Sequence, residues 1–178
     1  ISDPRDLDVS SVPENPERFT VNPNGIIPPL KNGQHVQVRR GPNIQPIPVK
    51  TPMNQSILGD VLIKLGDNIS TDHILPAGPT VLPLRSNVPA IREYLFKYVD
   101  ADFINRIKEK QGGMILGGHN YGQGSSREHA ALCPMSLGVT VIIAKSFARI
   151  HLVNLINYGV LPLTLDSEVD YDAIQERD

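Results

Sequence analysis

Cysteine is almost absent from this chain: Cys133 is the only one in 178 residues. A single thiol excludes an internal disulfide framework and any zinc or iron–sulfur site built from this chain's cysteines alone. The lack of disulfides points to a reducing compartment, expected to be the cytoplasm or, in a eukaryote, the mitochondrial matrix. Surplus charge is equally scarce. A formal net charge of -2 gives no general affinity for nucleic acid or acidic membranes, so neither is expected as a partner. No apolar run approaches the ~20 residues needed to span a bilayer. The longest, Val139 to Ala144, is strand-sized. The chain starts at Ile1 rather than methionine and shows no signal peptide, so it is read as a fragment or processed product. Its length suits one domain with a single core.

Proline is plentiful, and it is concentrated in one place. Pro13, Pro16, Pro23, Pro28, Pro29, Pro42, Pro46, Pro48 and Pro52 punctuate the first third. Such spacing forbids long helices and favours extended segments that wrap a neighbour. Residues 1–57 are therefore expected to be a connector or strap, with one short strand at 35–39, and residues 58–178 the folded domain.

From Gly59 onward the pattern is that of an α/β domain. Strands are expected at 60–65, 113–117, 139–143 and 160–165, and helices at 90–99, 102–109, 126–137 and 146–157, the last closed by Gly159. Strand–helix–strand–helix–strand over 113–165 predicts a parallel component.

Two segments carry chemistry. The first, His119-Asn-Tyr-Gly-Gln-Gly-Ser-Ser-Arg-Glu-His129, is a glycine-rich turn between a strand and a helix start, where free backbone N–H groups favour an anion. It is not a nucleotide P-loop, because no lysine follows the last glycine. It is not a dinucleotide fingerprint either, since Arg127 stands where the third glycine belongs. A hydrolase elbow is also absent. Two readings remain open. Ser125-x-x-Glu128 fits a capping box, a purely structural device. Arg127, expected in the first helical turn, opposes the dipole there and implies a nearby anion, which tilts the reading toward a carboxylate site.

The second segment is Gly66-Asp-Asn-Ile-Ser-Thr-Asp-His-Ile74. Asp72 and His73 are a poor metal chelate if the segment is extended, because neighbouring side chains then point to opposite sides. His73 is read as a satisfied structural histidine, and Asp72 as either a turn residue or a site residue. His129 and His151 are expected to be structural or surface groups, His119 to border the glycine loop, and Cys133 to be a buried small apolar residue.

Three stretches together resemble aconitase. They are Asp67-Asn-Ile-Ser-Thr-Asp-His-Ile-Leu-Pro-Ala-Gly78, Asn120-Tyr-Gly-Gln-Gly-Ser-Ser-Arg-Glu-His-Ala-Ala-Leu132 and Lys145-Ser-Phe-Ala-Arg-Ile-His151. Their order and spacing are similar to the carboxy-terminal swivel domain of that family, over residues 58–165. The resemblance implies a swivelling β/β/α domain with a mixed sheet and flanking helices. It also implies reversible dehydration and rehydration of citrate to isocitrate through cis-aconitate. By position, Ser125 would be the base and Asp72 a partner in proton delivery. Ser126 and Arg127 would hold a substrate carboxylate, and Arg85 would be a second carboxylate arginine. The loop after Gly78 is one residue longer than the family pattern, which places Arg85 by offset. The four-iron four-sulfur cluster would sit in the remaining domains, which are partners of this chain, and this chain would bind no metal. Alone it is expected to be inactive. Thr-Asp-His-Ile and Asn-Tyr-Gly-Gln favour the aconitase branch over isopropylmalate isomerase and homoaconitase. A non-enzymatic carboxylate-binding module is the alternative from a different class.

Overall fold

Four short runs rich in β-branched and aliphatic residues form the strands of one sheet. They are β1 (Val61–Lys64), β2 (Gly113–Gly117), β3 (Val139–Ala144) and β4 (Leu161–Thr164). The computed structural model describes Asp3, Asp6 and residues 18–178. Pro13 and Pro16 lie outside the described residues.

The strand order is β1-β2-β3-β4. Each neighbouring pair is parallel, with Gly117 opposite Ala144 and Ala144 opposite Thr164 at the carboxyl ends. The expected α/β class and flanking helices are therefore found, but the sheet is parallel in all three pairings rather than mixed. The reason is connectivity: every consecutive pair of strands is joined by a crossover long enough to hold a helix, and such crossovers produce parallel neighbours. Thus α4 (His129–Ser136) links β2 to β3, and α5 (Arg149–Asn157) links β3 to β4. Between β1 and β2 run α1 (Thr71–Ile74), α2 (Val88–Ile91) and α3 (Phe103–Lys110), and α6 (Glu168–Ala173) follows β4. The chain's last residues bond to the open edge of β1: Arg177 N–H donates to Val61 O at 2.9 Å and Val61 N–H to Asp178 O at 3.1 Å.

Central strands of a parallel sheet are covered on both faces, and the apolar run of β3 reflects this: Val139, Val141, Ile142 and Ala144 are all buried. The core continues through Leu95, Phe96, Phe103, Ile107, Ile115 and Leu155. This core breaks the helix expected over 90–99. Asn87 caps α2 by accepting from Ala90 N–H at 3.1 Å, a 3-10 turn follows at Arg92–Tyr94, and Phe96 turns left-handed at φ 52°. A left-handed residue costs roughly 1–2 kcal/mol. Full burial of Leu95 and Phe96, at roughly 1.5–3 kcal/mol each, outweighs that together with the lost helix propensity. The Phe96 ring meets Phe103 edge-on, with centroids 4.8 Å apart.

The chain divides into two compact units, Ile1–Arg39 and Arg40–Asp178. In the first, the described residues include 3-10 turns at Pro23–Gly25 and Gly33–His35 and no strand. The strand expected at 35–39 is not formed; Val36 and Val38 are exposed, and an extended segment without a pairing partner has nothing to hold it. In the second unit, residues after Arg40 already lie on the folded body: Gln45 N–H donates to Ser86 O at 2.8 Å, and Lys50 Nζ to Val139 O at 3.5 Å.

Candidate functional site

The two chemistry-bearing segments, some fifty residues apart in sequence, lie side by side beyond the carboxyl ends of β1 and β2, where parallel α/β sheets place their ligands. Backbone bonds join them. Asn68 N–H donates to His119 O (2.7 Å), Gly122 N–H to Ile69 O (2.7 Å) and Thr71 N–H to Gln123 O (2.9 Å). The Thr71 hydroxyl donates to Ser125 O at 3.0 Å. Gly122 is obligatory here. It sits at φ +80°, and a Cβ on it would fall 2.1 Å from the imidazole carbon Cδ2 of His151.

Asp72 does not lie in an extended strand. Residues 71–74 form the single turn α1, opened by a reciprocal cap in which His73 N–H donates to Ser70 Oγ and Ser70 N–H to His73 Nδ1, both at 3.1 Å. His73 is thus the satisfied structural histidine the sequence implied. The turn presents Asp72 to Arg127, whose Nη1 donates to Asp72 Oδ1; a second, longer contact runs to Leu75 O at 3.4 Å.

Two expectations about the glycine–serine corner change. The capping box at Ser125 and Glu128 does not form: α4 starts at His129, and its N-terminal flanking residue Glu128 makes no side-chain cap. The Ser125 hydroxyl therefore has no capping duty, and no hydrogen-bond partner among the described residues. Arg127 also precedes the helix rather than sitting in its first turn. Its positive charge is answered by Asp72.

Ser125, Ser126 and Arg127 line a hollow of about 440 Å³ with Thr71, Gly124 and the start of α5. Arg85 does not reach that hollow. It lines a second one of about 190 Å³, which shares Ser126 and Arg127 with the first. Its backbone carbonyl accepts from His129 Nε2 at 2.8 Å, which ties the loop bearing Arg85 to α4. His119 does not line the first hollow; its N–H donates to Asp67 Oδ1 at 2.7 Å.

Arg149, His151 and Asn154 were not expected at this site, yet all three line the first hollow. His151 is only 1% exposed, and burial pushes its imidazole down to about 4, so it is neutral near pH 7. Cys133 is buried within α4, and desolvation pushes its thiol up to about 12, so it is a neutral apolar filler rather than a ligand thiolate. Among the described residues no group of three His, Cys, Asp or Glu side chains is placed to hold a metal ion. Among the same residues no helix is long and apolar enough to cross a membrane.

The profile of the Aconitase C-terminal domain matches residues 96–168, the stretch that holds the glycine–serine corner, α4 and α5. A 3-isopropylmalate dehydratase small subunit from Caldanaerobacter subterraneus subsp. tengcongensis is 45% identical over 116 residues, covering 65% of this chain and 68% of that protein. A probable mitochondrial aconitate hydratase from Dictyostelium discoideum is 35% identical over 187 residues, covering 90% of this chain but only 24% of that protein. The crystal structure of a 3-isopropylmalate dehydratase from Methanocaldococcus jannaschii superposes with a TM-score of 0.57 at 33% identity, covering 67% of this chain and 66% of that one. The parallel sheet, the corner after β2 and relatives of two enzyme names agree, and the chain belongs to the family of aconitase C-terminal domains and 3-isopropylmalate dehydratase small subunits.

Proposed function

We propose that residues 58–178 are the swivel domain of a hydro-lyase, and that residues 1–57 are its connector to the rest of the enzyme. One observation carries the reading. Among the described residues the Ser125 hydroxyl has no structural partner, and it lies on a corner whose neighbours are Ser126 and a guanidinium.

In this reading Ser125 removes the carbon-bound proton of a hydroxy acid, while Ser126 and Arg127 hold one of its carboxylates. Asp72 holds Arg127 in place and serves proton delivery to the leaving hydroxyl. Arg85 is a second carboxylate arginine in the adjoining hollow. A helix N-terminus contributes at most ~2 kcal/mol to a nearby anion, about one and a half pKa units. Ser125 lies four residues before α4, so the dipole alone does not ionise it. Loop amides, Arg127 and exclusion of water on closure supply the remainder, as in an oxyanion hole.

The four-iron four-sulfur cluster does not fit this chain, whose one cysteine is buried and protonated. We assign the cluster to the remaining domains, on the same polypeptide or on a separate large subunit, in the cytoplasm or mitochondrial matrix. The isolated chain is then inactive.

Two substrates have support. Higher identity, with most of a small subunit's length covered, favours isopropylmalate. Alignment through the connector to 90% of the chain, together with Thr-Asp-His-Ile and Asn-Tyr-Gly-Gln, favours citrate and isocitrate. The test joins this chain to its cluster-bearing part and compares turnover of citrate, 2-isopropylmalate and homocitrate. The preferred acid names the branch. Retained turnover in Ser125→Ala would remove Ser125 as the base and favour a carboxylate-binding module that takes no part in the chemistry.

A further inference from the structure

Charge placed at the start of a helix implies an anion when the charge is positive and nothing else answers it. Arg127 does not meet that condition, because it precedes α4 and is held by Asp72. Arg149 does meet it. It is the first residue of α5, a helix of nine residues whose flanking residue is Ala148, which makes no side-chain cap. Among the described residues its guanidinium has neither ion pair nor hydrogen bond.

The backbone around it is equally open. Ala148 N–H is taken by Tyr121 O at 2.9 Å, and Leu152 N–H donates to Ala148 O at 3.0 Å as the first bond of the helix. The N–H groups of Arg149, Ile150 and His151 lie between these two and have no intrahelical acceptor. All three residues line the hollow that also holds Ser125.

A second, independent feature lies at the same place. His151 is 1% exposed, and among the described residues neither of its ring nitrogens has a hydrogen-bond partner. Its carbon edge is backed against Gly122. One turn further along, the buried amide nitrogen of Asn154 is also without a partner among the described residues, and Asn154 lines the same hollow. Buried polar groups seldom remain unsatisfied in a finished site. Here they gather under one cation and three free amides.

We propose that the N-terminus of α5, with the Arg149 guanidinium over it and His151 beneath, is a second carboxylate seat facing Ser125 across the hollow. It takes a carboxylate of the substrate other than the one held by Arg127. The proposal rests on the hydro-lyase reading and deepens it. It makes Arg149 a binding residue that fixes the acid by two points on either side of the base, which sets the orientation of the carbon-bound proton.

The test uses the assembled enzyme. Arg149→Gln and Arg149→Lys are compared with the parent in steady-state kinetics, and in calorimetric titration with citrate, 2-isopropylmalate and inorganic phosphate. Loss of one charge-assisted contact is expected to raise KM and Kd for the preferred acid by about 10- to 100-fold. A much smaller change in kcat and partial recovery in Arg149→Lys are also expected. Arg149 is exposed, so thermal melting should not move. Unchanged Kd and KM in Arg149→Gln, with turnover still lost in Ser125→Ala, would overturn the second seat and leave the hydro-lyase reading standing. Phosphate bound as tightly as either acid, and weakened equally by Arg149→Gln, would overturn the carboxylate assignment in favour of a general anion site. If Ser125→Ala kept turnover, the role of Ser125 as base would fall, while the calorimetric loss in Arg149→Gln would still report the seat.

Discussion

The hollow beside Ser125 has two walls, built in different ways. One wall is the corner 122–127, an irregular loop held by bonds to residues 69–71, with glycines at positive φ and an arginine already committed to Asp72. The other is the start of α5, regular helix with open amides, an uncommitted arginine and an unsatisfied neutral imidazole. The first wall supplies a hydroxyl and shape; the second supplies the stronger unbalanced field. Charge in the first wall is compensated inside the chain, whereas charge in the second waits for something from outside. A site divided in this way separates positioning from reactivity, so changes on the two walls should separate as well.

The sharpest break is at the hydroxyl. Ser125→Ala in the assembled enzyme is expected to cut turnover by about 10²- to 10⁴-fold, the range for removing a positioned acid–base group. KM should be nearly unchanged, because the carboxylate contacts remain. Steady-state kinetics with the preferred acid checks this. A change confined to KM would move Ser125 from the reactive wall to mere binding.

Gly122 is where the two walls touch, and it carries the next effect. An alanine there must adopt φ near +80° with its Cβ 2.1–2.5 Å from His151 Cδ2, Cγ and Cβ. Left-handed strain and overpacking together are expected to cost about 3 kcal/mol in urea unfolding of the chain. Gly122→Ala should therefore disturb both walls at once, whereas Ser125→Ala leaves stability alone. A stable Gly122→Ala would mean that the walls move independently.

Much of this arrangement was legible in the residues, and the parts that were not have physical reasons. β2 was readable to the residue, because Met114 to Leu116 is a short apolar run bounded by glycines. The helix expected at 102–109 is found within a residue at each end, with Phe103 and Ile107 buried one turn apart. The corner was recognisable as an anion-friendly turn. Its partner segment was recognised separately, but nothing in local pattern shows that Thr71 and Ser125 meet, because that contact spans 54 residues. Arg149 was hidden by a boundary error of three residues. With the helix started at Ser146, Arg149 falls in its interior, where a positive charge carries no message. With the start at Arg149, the dipole argument applied to Arg127 transfers to it directly.

The buried imidazole provides a pH test of the second wall. His151 has an ordinary value of 6.5 when unfolded and is held down to about 4 by burial. Between those values the unfolded chain binds a proton that the native chain does not, so stability falls as pH is lowered through that window and is level above it. The gap corresponds to about 3 kcal/mol over its full width, and somewhat less at pH 4.5. Urea midpoints at pH 7 and pH 4.5 should differ accordingly, and His151→Gln should flatten the difference. Saturating acid ligand at the α5 seat should also reduce the slope if a carboxylate stabilises the imidazolium.

The weakest effect on stability belongs to the contact that makes the first wall self-sufficient. Asp72 is 54% exposed and Arg127 23%, so their ion pair is well solvated and worth at most about 1 kcal/mol to stability. Asp72→Asn should shift urea unfolding by no more than that, and less at high salt. Its informative consequence is elsewhere. Without the carboxylate, Arg127 keeps only its long contact to Leu75 O, and both walls then carry a cation with no ion pair. Inorganic phosphate should consequently bind the Asp72→Asn enzyme more tightly than the parent, in calorimetric titration at low ionic strength. If phosphate affinity stays the same, Asp72 does not compensate Arg127, and the asymmetry between the walls must come from the helix amides alone.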